Sequence, residues 1–157
     1  MKDQQKEIDE EFMKEALVEA RKSLEAGDWA IGCVIVIDNQ IVARGRNRVY
    51  SNKNKIAHAE IEAMSLIAEL LGNRGEDATL YVTLEPCPMC MGAILLNHFK
   101  RVVCGVDANG SGSFSIIRNE HLPEFFTKEK YKFEIDQSVL IDECHNLFVS
   151  GVNKKGR

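Results

Sequence analysis

Two short segments constrain this chain more than anything else in it. His58-Ala59-Glu60 and Pro86-Cys87-Pro88-Met89-Cys90 are separated by 29 residues, counted from His58 to Cys87. That interval has room for one helix and one strand. Each segment follows an irregular stretch and stands at the start of an expected helix. Parallel strands of an α/β sheet bring such points together at their carboxyl edge, where ligands bind. One imidazole and two thiols meeting at that edge form a donor set for a metal ion.

The rest of the chain supplies such a scaffold. Ile8, Phe12, Ala16, Leu17, Ala20 and Leu24 follow a helical stripe, and Gly27 should end that helix. Residues 31–37, IGCVIVI, read as a buried strand, Asp38-Asn39-Gln40 as a hairpin turn, and 41–48 as a second strand. A polar loop over 50–55 leads to an expected helix over 58–71, with Ile61, Met64, Ile67, Ala68 and Leu71 inward and a stop at Gly72-Asn73. A third strand covers 80–84, and Pro86 suits the opening of a helix reaching Asn97. A fourth strand spans 101–106, followed by a Gly/Ser-rich loop over 109–115. A fifth strand over 131–135 and a final helix over 139–148 complete the chain. Strands alternating with helices predict an α/β sheet covered on both faces. The opening hairpin makes that sheet mixed.

Composition narrows the class. A chain of 157 residues, 45% hydrophobic and 28% charged, can bury one core, so a single domain over 1–157 is expected. No apolar run approaches the roughly 20 residues of a membrane helix, and the first residues lack the apolar stretch of a signal peptide. No membrane partner is expected, and the cytoplasm is the expected compartment. Five cysteines, unevenly placed, argue against a closed disulfide framework. Residues 1–28 carry nine acids and five bases and hold the whole net charge of −4. Their acidic helix reads as a solvated outer face. Between Asn39 and Ala59 stand five bases, Arg44, Arg46, Arg48, Lys53 and Lys55, with no acid. Alternation puts the three arginines on one face of a strand. They form either a local phosphate grip or a solvated face whose acids come from elsewhere in the fold.

Zinc suits the His58, Cys87 and Cys90 donors. Three ligands leave one tetrahedral position for water, whose pKa falls to roughly 7 on the metal. Helix N-termini favour thiolate at both cysteines. Glu60 is two residues from His58, too close in sequence to chelate the same ion well but able to approach its water as a proton shuttle. Two blander readings compete. A fourth ligand such as Cys104, Cys144, His98, His121 or His145 would close a structural site, and a redox pair would need neither His58 nor Glu60. Cys33, Cys104 and Cys144 read as small core fillers, and the other histidines as surface groups.

H-x-E joined to P-C-x-x-C is the recognised zinc deaminase signature. On these residues, with Gly32-Cys33-Val34-Ile35-Val36, Asn47, the run LYVTLEPCPMC at 80–90 and Gly92-Ala93, the chain resembles the cytidine deaminase superfamily. Within it the chain looks most like the branch of tRNA adenosine deaminases and guanine or cytosine deaminases. The resemblance extends from about Phe12 to Phe148. It implies a three-layer α/β/α fold with a mixed five-stranded sheet, in a homodimer or larger assembly with the site near a subunit interface. It implies that His58, Cys87 and Cys90 hold Zn2+ and that Glu60 shuttles protons. Asn47 would contact the base, and the backbone of Ala59 and Glu85 would meet the base and its amino group. The implied reaction replaces an exocyclic amino group by a keto group with release of ammonia.

The substrate stays open at this level. Adenosine in a tRNA anticodon loop would use Arg44, Arg46, Arg48, Lys53 and Lys55, with the tail cations Lys154, Lys155 and Arg157, on phosphates around unstacked bases. A free base or nucleoside needs no such grip and suits the acidic pI. A non-catalytic, zinc-stabilised RNA-binding subunit is a third reading, and the presence of Glu60 opposes it. Ala30, Asn54-Lys55-Ile56 and Pro88 depart from the tRNA pattern, which has proline, Asp-Pro-Thr and other residues there.

Overall fold

The structure is a computed structural model describing residues 2–108, 112–114 and 133–154. Helix α1 (Lys2–Glu25) carries the apolar stripe, with Met13, Ala16, Leu17 and Ala20 buried. It ends where expected. Gly27 takes φ +83°, Asp28 N–H bonds the Ser23 carbonyl, and Gly27 N–H bonds that of Leu24, the paired bonds of a Schellman cap.

Strands β1 (Gly32–Ile37) and β2 (Gln40–Arg46) form the hairpin. Asp38 and Asn39 both have positive φ, 52° and 57°, as a two-residue type I′ turn requires. The register between β1 and β2 slips at Val42, a bulge on the β2 side. Strand β3 (Thr79–Leu84) pairs antiparallel with β1 and parallel with β4 (Arg101–Val106), which pairs parallel with β5 (Glu134–Gln137). The order is β2-β1-β3-β4-β5, a mixed five-stranded sheet.

Alternation along β1 builds both cores. Cys33, Ile35 and Ile37 join Leu80, Val82, Val102 and Cys104 beneath α2 (Ala59–Leu66), α3 (Ala68–Arg74) and α4 (Pro88–Leu96). Val34 and Val36 join Tyr81, Val103 and Cys144 beneath α1 and the final helix α5 (Ile141–Lys154). A strand buried on both faces must be apolar at every position, and β1 is. The layers touch through the main chain at two places: a Cβ on Gly32 would lie 2.1 Å from the Ala16 carbonyl oxygen, and one on Gly45 would lie 2.1 Å from that of Ala59. Cys33, Cys104 and Cys144 are core residues as expected, and His98 and His145 are exposed.

Several expectations need correction. The helix expected over 58–71 breaks at Ile67 (φ −130°, ψ 28°), and beyond the break Ala68, expected inward, is turned outward. Pro88, and not Pro86, stands in the first turn of α4, where its missing N–H costs nothing. β5 begins at Glu134, and the final helix begins at Ile141 after Ser138 and Leu140 take positive φ. Tyr131, His121, Lys155, Arg157 and most of the 109–115 loop lie outside the described residues.

The acidic face of α1 is not wholly solvated. Asp9 is 4% exposed and receives both guanidinium ends of Arg101, at 2.8 and 2.7 Å. Tyr81 Oη donates to it at 2.9 Å and Gln5 Nε2 at 3.0 Å, while Arg101 Nε donates to Asp136 at 2.6 Å. This network ties α1 to β3, β4 and β5 at the end of the sheet where β4 begins.

Candidate active site

The paired segments meet at the other end, beyond the carboxyl end of β3. His58 and Cys87 are the N-cap residues of α2 and α4, both with extended backbone (φ −77°, ψ 154° and φ −70°, ψ 168°). Each therefore stands at a positive helix terminus, and Cys90 follows in the first turn of α4. His58 Nδ1 lies 3.5 Å from Cys87 Sγ and 3.6 Å from Cys90 Sγ, with all three ligand atoms within 4.8 Å of one another. A tetrahedral zinc with ordinary Zn–N and Zn–S bonds requires an N···S edge of about 3.6 Å. The two N···S edges match that spacing.

Among the described residues no other His, Cys, Asp or Glu joins this group. Cys104, Cys144, His98 and His145 therefore do not close it, and His121, the remaining candidate for a fourth ligand, lies outside the described residues. Glu60 is 3% exposed and bonds Cys90 without belonging to the ligand triangle. Burial pushes its carboxyl up to about 7, against hydrogen bonds from its own N–H and from Cys90. The Cys87 thiol is held down to about 4, first by its bond with Cys90 and then by His58, while Cys90 is pushed up as the proton-bearing partner. His58 is raised, first by its bond with Cys87.

A cavity of about 90 Å³ opens beside these groups, lined by Ile31, Asn47, His58, Glu60, Leu84, Glu85, Cys87 and Ala108. A larger cleft, about 830 Å³, lies around Asp9 and Arg101, whose charges neutralise each other.

Residues 6–106 match the family described as the cytidine and deoxycytidylate deaminase zinc-binding region. The chain belongs to that family. A tRNA-specific adenosine deaminase of Bacillus subtilis is 42% identical to this deaminase over 140 residues, 88% of this chain and 85% of that protein. One from Buchnera aphidicola is 38% identical over 94% of this chain and 90% of that protein. A solved structure from work on A-to-I editing by tRNA deaminases at the wobble position superposes with a TM-score of 0.76 at 33% identity, covering 87% of this chain and 98% of that one. A guanine deaminase from Nitrosomonas europaea shares the fold, with a TM-score of 0.71 at 23% identity, covering 90% of this chain and 83% of that one. The chain is thus a hydrolytic deaminase acting on nucleobase amino groups.

Most of the deaminase's expected site residues gather here. Asn47 is 2% exposed; its Oδ1 accepts from Val49 N–H at 3.1 Å, which leaves Nδ2 as its donor toward the cavity it lines. Glu85 also lines the cavity, whereas Ala59 is fully buried and does not. Ile31, Leu84 and Ala108 were missed by sequence reasoning. Only the position of Leu84 at the end of β3, and of Ala108 just past the end of β4, hinted at them.

The basic residues divide. Arg44 pairs with Glu15 at 2.7 Å and reaches Glu19 at 3.8 Å, and Arg48 reaches Glu62 at 3.5 Å. Their acids do come from elsewhere in the fold, on α1 and α2, but β2 ends at Arg46, so Arg48 lies beyond the strand and the three arginines do not form the single strand face expected. Arg46 Nε is buried with no hydrogen-bond partner among the described residues. Lys53 and Lys55 are exposed and form no ion pair among them. The loop that carries them is pinned at its start by the fully buried Asp28, whose Oδ1 accepts from Tyr50 N–H at 2.7 Å and Ser51 N–H at 3.0 Å.

Proposed function

We propose that this deaminase is a zinc enzyme converting adenosine to inosine in a tRNA anticodon loop. The carrying observation is the His58–Cys87–Cys90 triangle at tetrahedral spacing, with the buried Glu60 carboxyl beside it and the cavity alongside. The names of the Bacillus and Buchnera relatives support tRNA adenosine as the substrate. His58, Cys87 and Cys90 hold the ion. Zinc bound there supplies a water acidified toward neutrality.

Every other task falls to the chain. Asn47 contacts the base through Nδ2, and the main chain of Glu85 meets the base and its amino group; the contact expected from Ala59 is dropped because that residue is buried behind the cavity wall. Glu60 takes a proton from the attacking water and delivers it to the ring nitrogen. It then takes the second proton from the added hydroxyl and passes it to the departing amine, so that ammonia leaves and a keto group remains. Lys53, Lys55 and Arg46 meet phosphates around the splayed loop; Arg44 and Arg48 join them by giving up their carboxylate partners.

The whole chain, 1–157, acts in this reading as one domain, in the cytoplasm and as a homodimer. Among the described residues no helix is long and apolar enough to cross a membrane. Pairing is supported by Leu66 and Leu96, 71% and 57% exposed on the contacting helices α2 and α4. One observation favours a free base or nucleoside instead: two of the three arginines are already engaged by acids.

Ammonia release from tRNA, guanine, cytosine and adenosine, with zinc counted per chain, separates these readings. Inosine in the tRNA with about one zinc per chain is expected. Turnover of a small substrate alone selects the free-base reading. Salt-dependent tRNA binding without turnover selects a non-catalytic subunit. Full activity in metal-free protein overturns all three.

A further inference from the structure

Glu85 has a side-chain role that a contact through its backbone does not explain. Its carboxylate is 6% exposed and bridges two separate main-chain groups. Oε2 accepts from Ala108 N–H at 3.1 Å, and Oε1 from Phe114 N–H at 2.8 Å. Nearby bonds run the same way: Glu85 N–H donates to the Val106 carbonyl at 2.8 Å, and the Pro86 carbonyl accepts both Ser113 N–H at 3.1 Å and Ser113 Oγ at 2.8 Å. The two residues just before Cys87 are thereby sewn to chain that follows β4. A separate observation agrees. Gly112 lies so close that a Cβ there would fall 2.1 Å from the carboxyl carbon. A carboxylate offers two acceptor oxygens, whereas an amide offers one acceptor and one donor, so only an acid satisfies both N–H groups.

We infer that Glu85 is a positioning residue: its carboxylate fixes Ala108, one wall of the substrate cavity, against the turn that delivers Cys87. Ala108 and Glu85 both line the cavity, so the spacing of that wall from Asn47 and Glu60 depends on this bridge. The role belongs to the deaminase site whatever base it accepts and rests on the proposed site assignment, not on the tRNA substrate.

Two variants attack the bridge from opposite sides. Glu85→Gln places a donor against one of the two N–H groups. Gly112→Ala pushes a methyl into the carboxylate without altering its chemistry. Kinetics are measured on whichever of tRNA, guanine, cytosine and adenosine the unmodified enzyme deaminates, so a failed tRNA reading is scored separately. Each variant should raise KM about tenfold while kcat falls less than KM rises and zinc per chain is unchanged. Because both act through one contact, the double variant should be little worse than either single one. Amide hydrogen exchange at Ala108 and Phe114 should accelerate in both, a readout that needs no substrate. A Glu85→Gln enzyme with unchanged KM and unchanged exchange overturns the inference. So does a loss confined to zinc content or kcat, or a double variant whose losses simply multiply.

Discussion

Two buried polar centres, one at each end of the sheet, solve opposite problems. At the Asp9–Arg101 end, the carboxylate is met by a bidentate guanidinium, a phenol and an amide. Burial works against its charge, but the bonds from Arg101, Gln5 and Tyr81 prevail and hold its pKa below the ordinary value. At the Glu60 end, burial prevails and pushes the carboxyl up to about 7. The difference is one of satisfaction. A buried acid with a matched cation serves folding, whereas one whose charge burial disfavours keeps a proton in play at neutral pH. The two centres should therefore separate cleanly under mutation, one in activity and the other in stability.

The largest effect is expected at the reacting end. Glu60→Gln should retain zinc and lose about 10²–10⁴-fold in kcat, the range of general acid–base catalysis. Steady-state ammonia release checks this, and near-normal turnover would show that the carboxyl moves no proton.

Asp9→Asn should do the reverse. Removing one partner of a buried ion pair costs about 3–5 kcal/mol, moderated here because Arg101 keeps Asp136. Urea unfolding would read that loss, and the kcat of the folded enzyme should not change. The pH dependence has a definite sign. Because the folded pKa of Asp9 is depressed, its stabilisation is present above the unfolded value of about 3.9 and disappears as pH falls through the folded pKa. Wild type and Asp9→Asn should converge in stability only in strong acid.

The smallest effect concerns Glu60 again, in metal-free protein. A carboxyl raised from 4.5 to about 7 opposes folding once ionised. Metal-free Glu60→Gln should thus be more stable than metal-free wild type by up to about 3 kcal/mol above pH 7, an advantage that vanishes below about pH 4. Equal stabilities at pH 8 would mean that burial does not act on Glu60 as described.

The same contrast explains what was legible in the sequence. The reacting centre is assembled from two helix starts, so His58, Glu60, Cys87 and Cys90 could be read from local spacing and the strand-helix rhythm. The strands of the hairpin, its turn and the end of α1 were legible for similar reasons: Asp38-Asn39 and Gly27 carry their own backbone preferences. The satisfied centre was invisible because Asp9 and Arg101 are 92 residues apart and nothing local marks either. Glu15, Glu19 and Glu62 were equally hidden as the partners of Arg44 and Arg48. The break at Ile67 escaped because an apolar stripe at helical spacing runs through it, and tertiary packing alone turns Ala68 outward.

Gly32 and Gly45 set a limit on how this enzyme can be remodelled. Where α1 and α2 straddle the hairpin, helix meets strand peptide to peptide, so no side chain remains there to be trimmed for extra width. A designer seeking to admit a bulkier ring must carve Ile31, Leu84 or Ala108. Libraries that randomise either glycine should return misfolded protein instead of altered selectivity.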